Sequence, residues 1–146
     1  MTQSNESAKD AISPDKWETL YQAALDSYGL AYAPYSKFKV GAAFLMASGE
    51  IFAGCNIENA SYGATICAER TALGAAVSRG QQEPVALAVV ARNNPPASPC
   101  GICRQFIAEF AGPDLPIMLA NPENAREFLT LADLLPHSFT KSDLAE

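Results

Sequence analysis

The sequence predicts an α/β fold, a mixed sheet covered by helices in one domain, and three observations carry that expectation. Residues 37–46 and 51–56 are strand-like runs joined by Ser48-Gly49-Glu50, the mark of an antiparallel hairpin. Beyond them, stretches of helical periodicity alternate with short apolar runs at 84–91 and 115–120 that read as buried strands. A hairpin followed by such alternation gives a mixed sheet with helices on its faces. Finally, 146 residues suit one domain, which at this size buries about two thirds of the surface its unfolded chain exposes.

Residues 1–12 are polar and aperiodic and are expected to form a flexible N-terminal tail, leaving 13–146 as the single domain. Ser13-Pro14 reads as an N-cap followed by proline at the first helical position. Trp17, Leu20, Tyr21, Ala24 and Tyr28 then recur at three- and four-residue intervals, predicting an amphipathic helix that stops near Gly29. After the hairpin, Asn56-Ile57-Glu58-Asn59-Ala60-Ser61-Tyr62-Gly63 is polar and too long for a tight turn. Loops at strand ends are where binding groups are mounted, although Asn56 and Glu58 taken alone read as solvated.

A second helix is expected from about Thr65 to Ser78, with Ala72, Leu73, Ala76 and Val77 on one face and Gly80 ending it. Asn93-Asn94-Pro95-Pro96 is a loop signal, and a third helix starts near Cys100 and carries Phe106, Ile107 and Phe110 to a stop at Gly112. Residues 126–129 are a candidate fifth strand, and Thr130-Leu131-Ala132-Asp133 is a capping box opening one short helical turn. Phe139 stands where a tail would turn polar, so it packs on its own core or on a neighbouring subunit. His137, the one histidine, reads as a surface residue beside Pro136.

The formal charge of −6, from ten basic and sixteen acidic residues, argues against binding long nucleic acids, which requires a positive surface. No apolar run approaches the roughly 20 residues that span a bilayer, and the N-terminus lacks a signal-peptide core. A cytoplasmic location follows as the expectation. In a reducing compartment four cysteines are metal ligands or redox groups rather than staples.

Those cysteines carry the functional argument. Cys100 and Cys103 are spaced so that both sulfurs face one way on a helix's first turn, and Cys67 stands at the same place on the preceding helix. Helices side by side on one sheet face would bring three thiolates together at their positive ends. Three protein ligands leave tetrahedral zinc one open position, the mark of a catalytic rather than a structural ion. Glu69, two residues past Cys67, is placed beside such a metal to take a proton from its water and deliver it to a substrate. Arg70 and Arg104 each adjoin a ligand and offset thiolate charge by hydrogen bonding to sulfur, or else form surface ion pairs.

Two other readings stand beside this one. The Cys100-Gly101-Ile102-Cys103 run at a helix start also suits a thioredoxin-like redox pair, which leaves Cys67 and Glu69 without a role. A closed structural zinc would recruit Cys55, whose twelve-residue separation from Cys67 is unlike the short paired spacings of such sites. Cys55 is expected to be buried and inert.

With Cys67-Ala68-Glu69 and Pro99-Cys100-Gly101-Ile102-Cys103 the chain resembles the zinc deaminases. Lys37-Phe38-Lys39-Val40-Gly41-Ala42-Ala43, Gly54 through Tyr62, Cys67 through Ala72, Pro99 through Gln105 and Leu134 through Phe139 are similar, in order and spacing, to the small homotetrameric cytidine deaminases. That resemblance implies a five-stranded mixed sheet sandwiched between helices. It implies one zinc ion per chain on Cys67, Cys100 and Cys103, with Glu69 as the proton shuttle. The substrate it implies is a free pyrimidine nucleoside, cytidine or 2′-deoxycytidine, in pyrimidine salvage. Asn56 and Glu58 match positions that hold the ribose hydroxyls, Phe38 matches the aromatic lining the pocket, and the Ala68 backbone would contact the base. Tyr62 and Phe139 match residues that complete a neighbouring subunit's pocket, which makes the expected assembly a homotetramer. Arg70 fits the family's thiolate-bonded arginine, with Arg104 expected to act likewise.

Overall fold

The structure, a computed structural model, describes residues 5–145. In chain order its elements are α1 (Glu6–Lys9), α2 (Pro14–Leu30), β1 (Val40–Met46), β2 (Ile51–Cys55), α3 (Ala68–Ser78), β3 (Pro84–Ala91), α4 (Gly101–Ala108), β4 (Pro116–Ala120), β5 (Arg126–Thr130) and α5 (Leu131–Leu134). The strands form one mixed sheet in the order β2-β1-β3-β4-β5. The β1–β2 hairpin, the β1–β3 pair and the β4–β5 pair are antiparallel, whereas β3 and β4 run parallel. A parallel pair needs a crossover, and α4 supplies it.

Side chains on successive strand residues point to opposite faces, and this alternation sorts the core into two layers. Ala42, Phe44, Met46, Leu87, Val89, Ile117 and Leu119 pack with Ala72, Leu73 and Ala76 of α3 and Ile107 of α4. Ala43, Leu45, Ala86, Ala88, Val90, Met118 and Ala120 pack on the other face with Trp17, Leu20, Tyr21 and Ala24 of α2. The sheet is thus sandwiched between helices, and α3 and α4 share a face with their N-termini side by side. The fifth strand and the capping box are both present: Thr130 Oγ1 accepts from the Asp133 N–H, and Asp133 Oδ2 accepts from the Thr130 N–H at 2.8 Å. No helix among the described residues is long and apolar enough to cross a membrane.

Three of the departures from expectation have clear local reasons. The first strand begins at Val40 rather than 37 because Lys37 takes a left-handed conformation, φ 60°, which breaks extended chain. The second long helix begins at Ala68 rather than Thr65, since Ile66 is held in an antiparallel bridge to Ile57 and Cys67 is still extended. Residues 5–12 depart from the tail expected there, while residues 1–4 of that tail lie outside the described residues. The Asn5 N–H donates to the Phe128 carbonyl on the edge strand β5, the Asn5 side chain caps α1, and Trp17 Nε1 donates to the Lys9 carbonyl at 2.8 Å. Ala8 is buried in the same layer as Trp17 and Phe128. One turn with a single buried alanine is too short to show a helical period.

Candidate active site

Cys67 and Cys100 are the N-cap residues of α3 and α4, and Cys103 is the third helical residue of α4. Neither cap side chain is used to cap its helix, which leaves both sulfurs available. The Cys67 and Cys100 Sγ atoms are 3.7 Å apart, those of Cys100 and Cys103 are 3.5 Å apart, and all three lie within 4.8 Å of one another. A tetrahedral zinc with bonds of about 2.3 Å places its sulfurs about 3.8 Å apart, so the donor set fits this ion in both chemistry and spacing. Cys55 is half-buried at the end of β2 and is not part of the cluster, which removes the closed four-cysteine reading. A redox pair of Cys100 and Cys103 would leave unexplained why a third sulfur lies within 3.7 Å of the first.

The electrostatics of these groups call for a cation. The Cys67 thiol is pulled down to about 5, chiefly by hydrogen bonding with Cys103 and further by Arg70 and Cys100. Cys103 moves the opposite way, because its proton serves Cys67 and its sulfur is buried. Three thiolates this close repel one another unless a metal neutralises them. Arg70 contributes part of that compensation: its Nη2 donates to Cys67 Sγ at 3.6 Å, and this bond raises the arginine's own pKa. Arg70 Nε is the one buried side-chain nitrogen or oxygen without a partner among the described residues.

Arg104 corrects an expectation. Its Nε donates to the Pro99 carbonyl at 2.8 Å and its Nη1 donates to the Leu134 carbonyl, so the guanidinium holds backbone rather than sulfur. It ties the loop before Cys100 to the C-terminal segment, and the next residue continues the link, with Gln105 Nε2 donating to the Phe139 carbonyl at 2.8 Å. Hydrogen bonds from a charged donor are worth about 1.5–3 kcal/mol each. Arg104→Ala is therefore expected to lose about 2 kcal/mol in denaturant unfolding while still binding zinc stoichiometrically. Loss of the metal without loss of stability would return Arg104 to the thiolates.

Glu69, the second residue of α3, is 3% exposed. Burial pushes its carboxyl up to about 7, and the nearby Cys67 charge adds to the rise. Ala68 precedes it at the first helical position, fully buried, where a backbone N–H has no acceptor within its own helix. The turn therefore presents a donor that its own helix leaves unused and a carboxyl poised near neutrality beside a metal-type cluster.

The strand-end loop lies against this turn. Ile57 and Ile66 exchange backbone hydrogen bonds of 2.9 and 3.0 Å, so the segment carrying Asn56 and Glu58 is stapled to the residue before Cys67. Asn56 is 8% exposed; its Oδ1 accepts from the Val40 N–H at 2.9 Å and its Nδ2 donates to the Phe38 carbonyl at 2.8 Å. It is a buried clamp rather than the solvated residue its polarity suggests, with one N–H and one lone pair still unused. Glu58 accepts from the backbone of Tyr35 and Ser36 and from the Ser36 hydroxyl.

A pocket of about 380 Å³ opens here, lined by Tyr35, Ser36, Glu58, Asn59, Tyr62 and Thr65. The cysteines and Glu69 are not among its walls. Phe38 is partly buried under the Arg92 guanidinium, 5.3 Å from its ring centre. Tyr62 is 78% exposed and Phe139 59% exposed, so neither ring is enclosed by its own chain. Tyr35, Ser36 and Thr65 line this pocket, and none of them is assigned a role in the sequence analysis. For Ser36 the available signal was a serine after proline and tyrosine in a short loop, a type that bonds neighbouring backbone in turns.

Comparison with known proteins agrees with this geometry. A family model described as the cytidine and deoxycytidylate deaminase zinc-binding region matches residues 14–119. The chain is similar to a cytidine deaminase of Sporosarcina psychrophila, 55% identical over 115 residues that cover 79% of this chain and 85% of the relative. It is also similar to a cytidine deaminase of Mycobacterium tuberculosis, 41% identical over 128 residues covering 88% and 92%. Among solved structures, the cytidine deaminase from Burkholderia pseudomallei superposes with a TM-score of 0.80 at 45% identity, covering 84% of this chain and 98% of that one. The match runs through both cysteine motifs and the strand-end loop, and the chain accordingly belongs to the family of cytidine and deoxycytidylate deaminases that share this zinc-binding region.

Proposed function

We propose that the protein hydrolyses cytidine and 2′-deoxycytidine to uridine and 2′-deoxyuridine, releasing ammonia. The observation that carries this reading is a buried glutamate poised near pH 7, two residues beyond one sulfur of a three-cysteine cluster spaced for zinc. Zinc held by Cys67, Cys100 and Cys103 would supply an open coordination position and a water acidic enough to act near neutral pH. Glu69 would hold the proton that this water gives up and deliver it to N3 of the base, which opens C4 to a new bond from the water's oxygen. A second proton, from that oxygen once it is bound to C4, would pass through Glu69 to the amine, and the C4–N bond would break to release ammonia as the C4 carbonyl of the uracil ring forms. A carboxyl with a pKa near the working pH serves in both directions. Arg70 draws negative charge from Cys67, the Ala68 backbone meets the base, and Phe38, Asn56 and Glu58 hold the ring and the ribose.

The finer reading is a homotetramer whose neighbouring subunits complete each pocket. Its support is that Tyr62, Phe139, Ile57, Ile66 and Ile102, all on segments framing the site, are exposed apolar side chains on the single chain. A place in pyrimidine salvage in the cytoplasm fits four cysteines that are all free thiols.

The test is ultraviolet measurement of cytidine loss with purified protein, before and after zinc removal. About one zinc per chain is expected, with activity lost on chelation and restored by zinc. Turnover of cytidine should exceed that of free cytosine and of the 5′-monophosphate. A metal-free protein that reduces disulfides and leaves cytidine intact would establish the redox reading instead.

A further inference from the structure

We propose that Ser36 is a positioning residue for the nucleoside pocket, a single hydroxyl that joins the Glu58 carboxylate to the Phe38 backbone and so fixes the ribose and base contacts relative to each other. This rests on the deaminase reading and assigns a role that the sequence motifs do not. The turn that carries Ser36 is closed by the Lys37 N–H donating to the Ala33 carbonyl at 3.0 Å, and the left-handed Lys37 then reverses the chain. This directs three donors at one carboxylate. The Tyr35 and Ser36 N–H groups donate to Glu58 Oε1 at 2.9 and 3.1 Å, and the Ser36 hydroxyl donates to Oε2.

An ionised carboxylate offers about four lone-pair positions. Both positions on Oε1 are taken by backbone, and the Ser36 hydroxyl takes one on Oε2. A single directed acceptor is left for an incoming hydroxyl. Without the serine, Oε2 would have two free positions and no bond fixing its direction.

The same oxygen, Ser36 Oγ, accepts from the Phe38 N–H at 3.0 Å, while the Phe38 carbonyl accepts from Asn56 Nδ2 at 2.8 Å. Phe38 is therefore gripped at both backbone ends, each time by a side chain linked to the strand-end loop. The bonds to Ser36 also hold the Glu58 carboxyl below its ordinary range, the hydroxyl first among them, which keeps it an acceptor.

Steady-state kinetics on zinc-loaded protein test the proposal. Ser36→Ala should raise the KM for cytidine about tenfold, the scale of one hydrogen bond to a charged group, with kcat within about twofold and zinc stoichiometry unchanged. Ser36→Thr keeps the hydroxyl and should restore the KM. In a Glu58→Gln background, Ser36→Ala should add less than it does alone, because the carboxylate it orients is gone.

An unchanged KM in an active protein, an equal KM rise in the Glu58→Gln background, or a loss confined to kcat or zinc would each overturn the positioning role and leave the deaminase reading intact. A wild-type protein that consumes no cytidine overturns both.

Discussion

Replacing Glu69 by glutamine is expected to leave a folded, zinc-binding protein that consumes cytidine about a thousandfold more slowly, within the range by which a positioned acid–base group accelerates a reaction. Glutamine has the shape of glutamate and keeps one acceptor oxygen for the backbone N–H groups of the helix start, but it cannot take a proton from water and return it. The proposed mechanism uses that exchange in both directions, and burial lifts the carboxyl to about 7, where it can serve both. The same shift fixes the sign of the stability change in zinc-free protein. A carboxyl whose folded pKa is raised holds a proton that the unfolded chain, with a pKa of about 4.3, has lost. Stability therefore falls as pH rises between about 4.3 and about 7, and above that the full penalty of the buried charge is present. Glu69→Gln removes the penalty, so at pH 8 the metal-free variant should melt no lower than the wild type. A variant that deaminates at the wild-type rate with zinc in place would disprove the shuttle role. One that loses zinc would show that Glu69 is instead a support for the ligands.

How much of this site could be read from the chain depends on the range of the interaction. Cys67 with Glu69, and Cys100 with Cys103, declare themselves because each pair lies within one helical turn, where spacing alone fixes relative direction. The capping box at Thr130 and the Ser13-Pro14 start were legible for the same reason. Arg104 was misread because adjacency to Cys103 in sequence says nothing about which way a long side chain turns. Its acceptors are the Pro99 and Leu134 carbonyls, and Leu134 is 30 positions away. Asn56 appeared solvated because its partners, the backbone of Phe38 and Val40, become neighbours only when the hairpin closes. α1 escaped because one buried alanine makes no period, and the bond from Asn5 to Phe128 spans most of the chain. The sheet was legible because its strands alternate or are wholly apolar, as two covered faces require.

The close approach of α2 to the sheet leads to the largest stability effect expected of one methyl group. A Cβ built on Gly41 would lie 2.0 Å from the Ala24 carbonyl oxygen and 2.3 Å from the Tyr28 nitrogen, both backbone atoms of α2. Neither side can yield locally. Gly41 is paired with Cys55 on one side and Val90 on the other, so β1 is fixed within the sheet, and α2 is seated on small residues, Ala43, Ala86, Ala88 and Ala120, that set its height. Overpacking a core generally costs about 1–3 kcal/mol and sometimes more; a backbone collision belongs at the upper end. Gly41→Ala is thus expected to lose about 3 kcal/mol or more, read as a fall in melting temperature of about 10 °C. The damage should also reach the pocket, since Gly41 follows Val40, whose N–H is the donor that holds Asn56 Oδ1. A rise in the KM for cytidine would accompany the stability loss. Gly74→Ala supplies the control: nothing lies within 4 Å of its Cβ inside α3, and a helix interior favours alanine over glycine by about 1 kcal/mol. If the two variants melted alike, the contact between α2 and β1 would be looser than the geometry states, and the spacing of the helix from the sheet would not be what holds the Asn56 clamp in place.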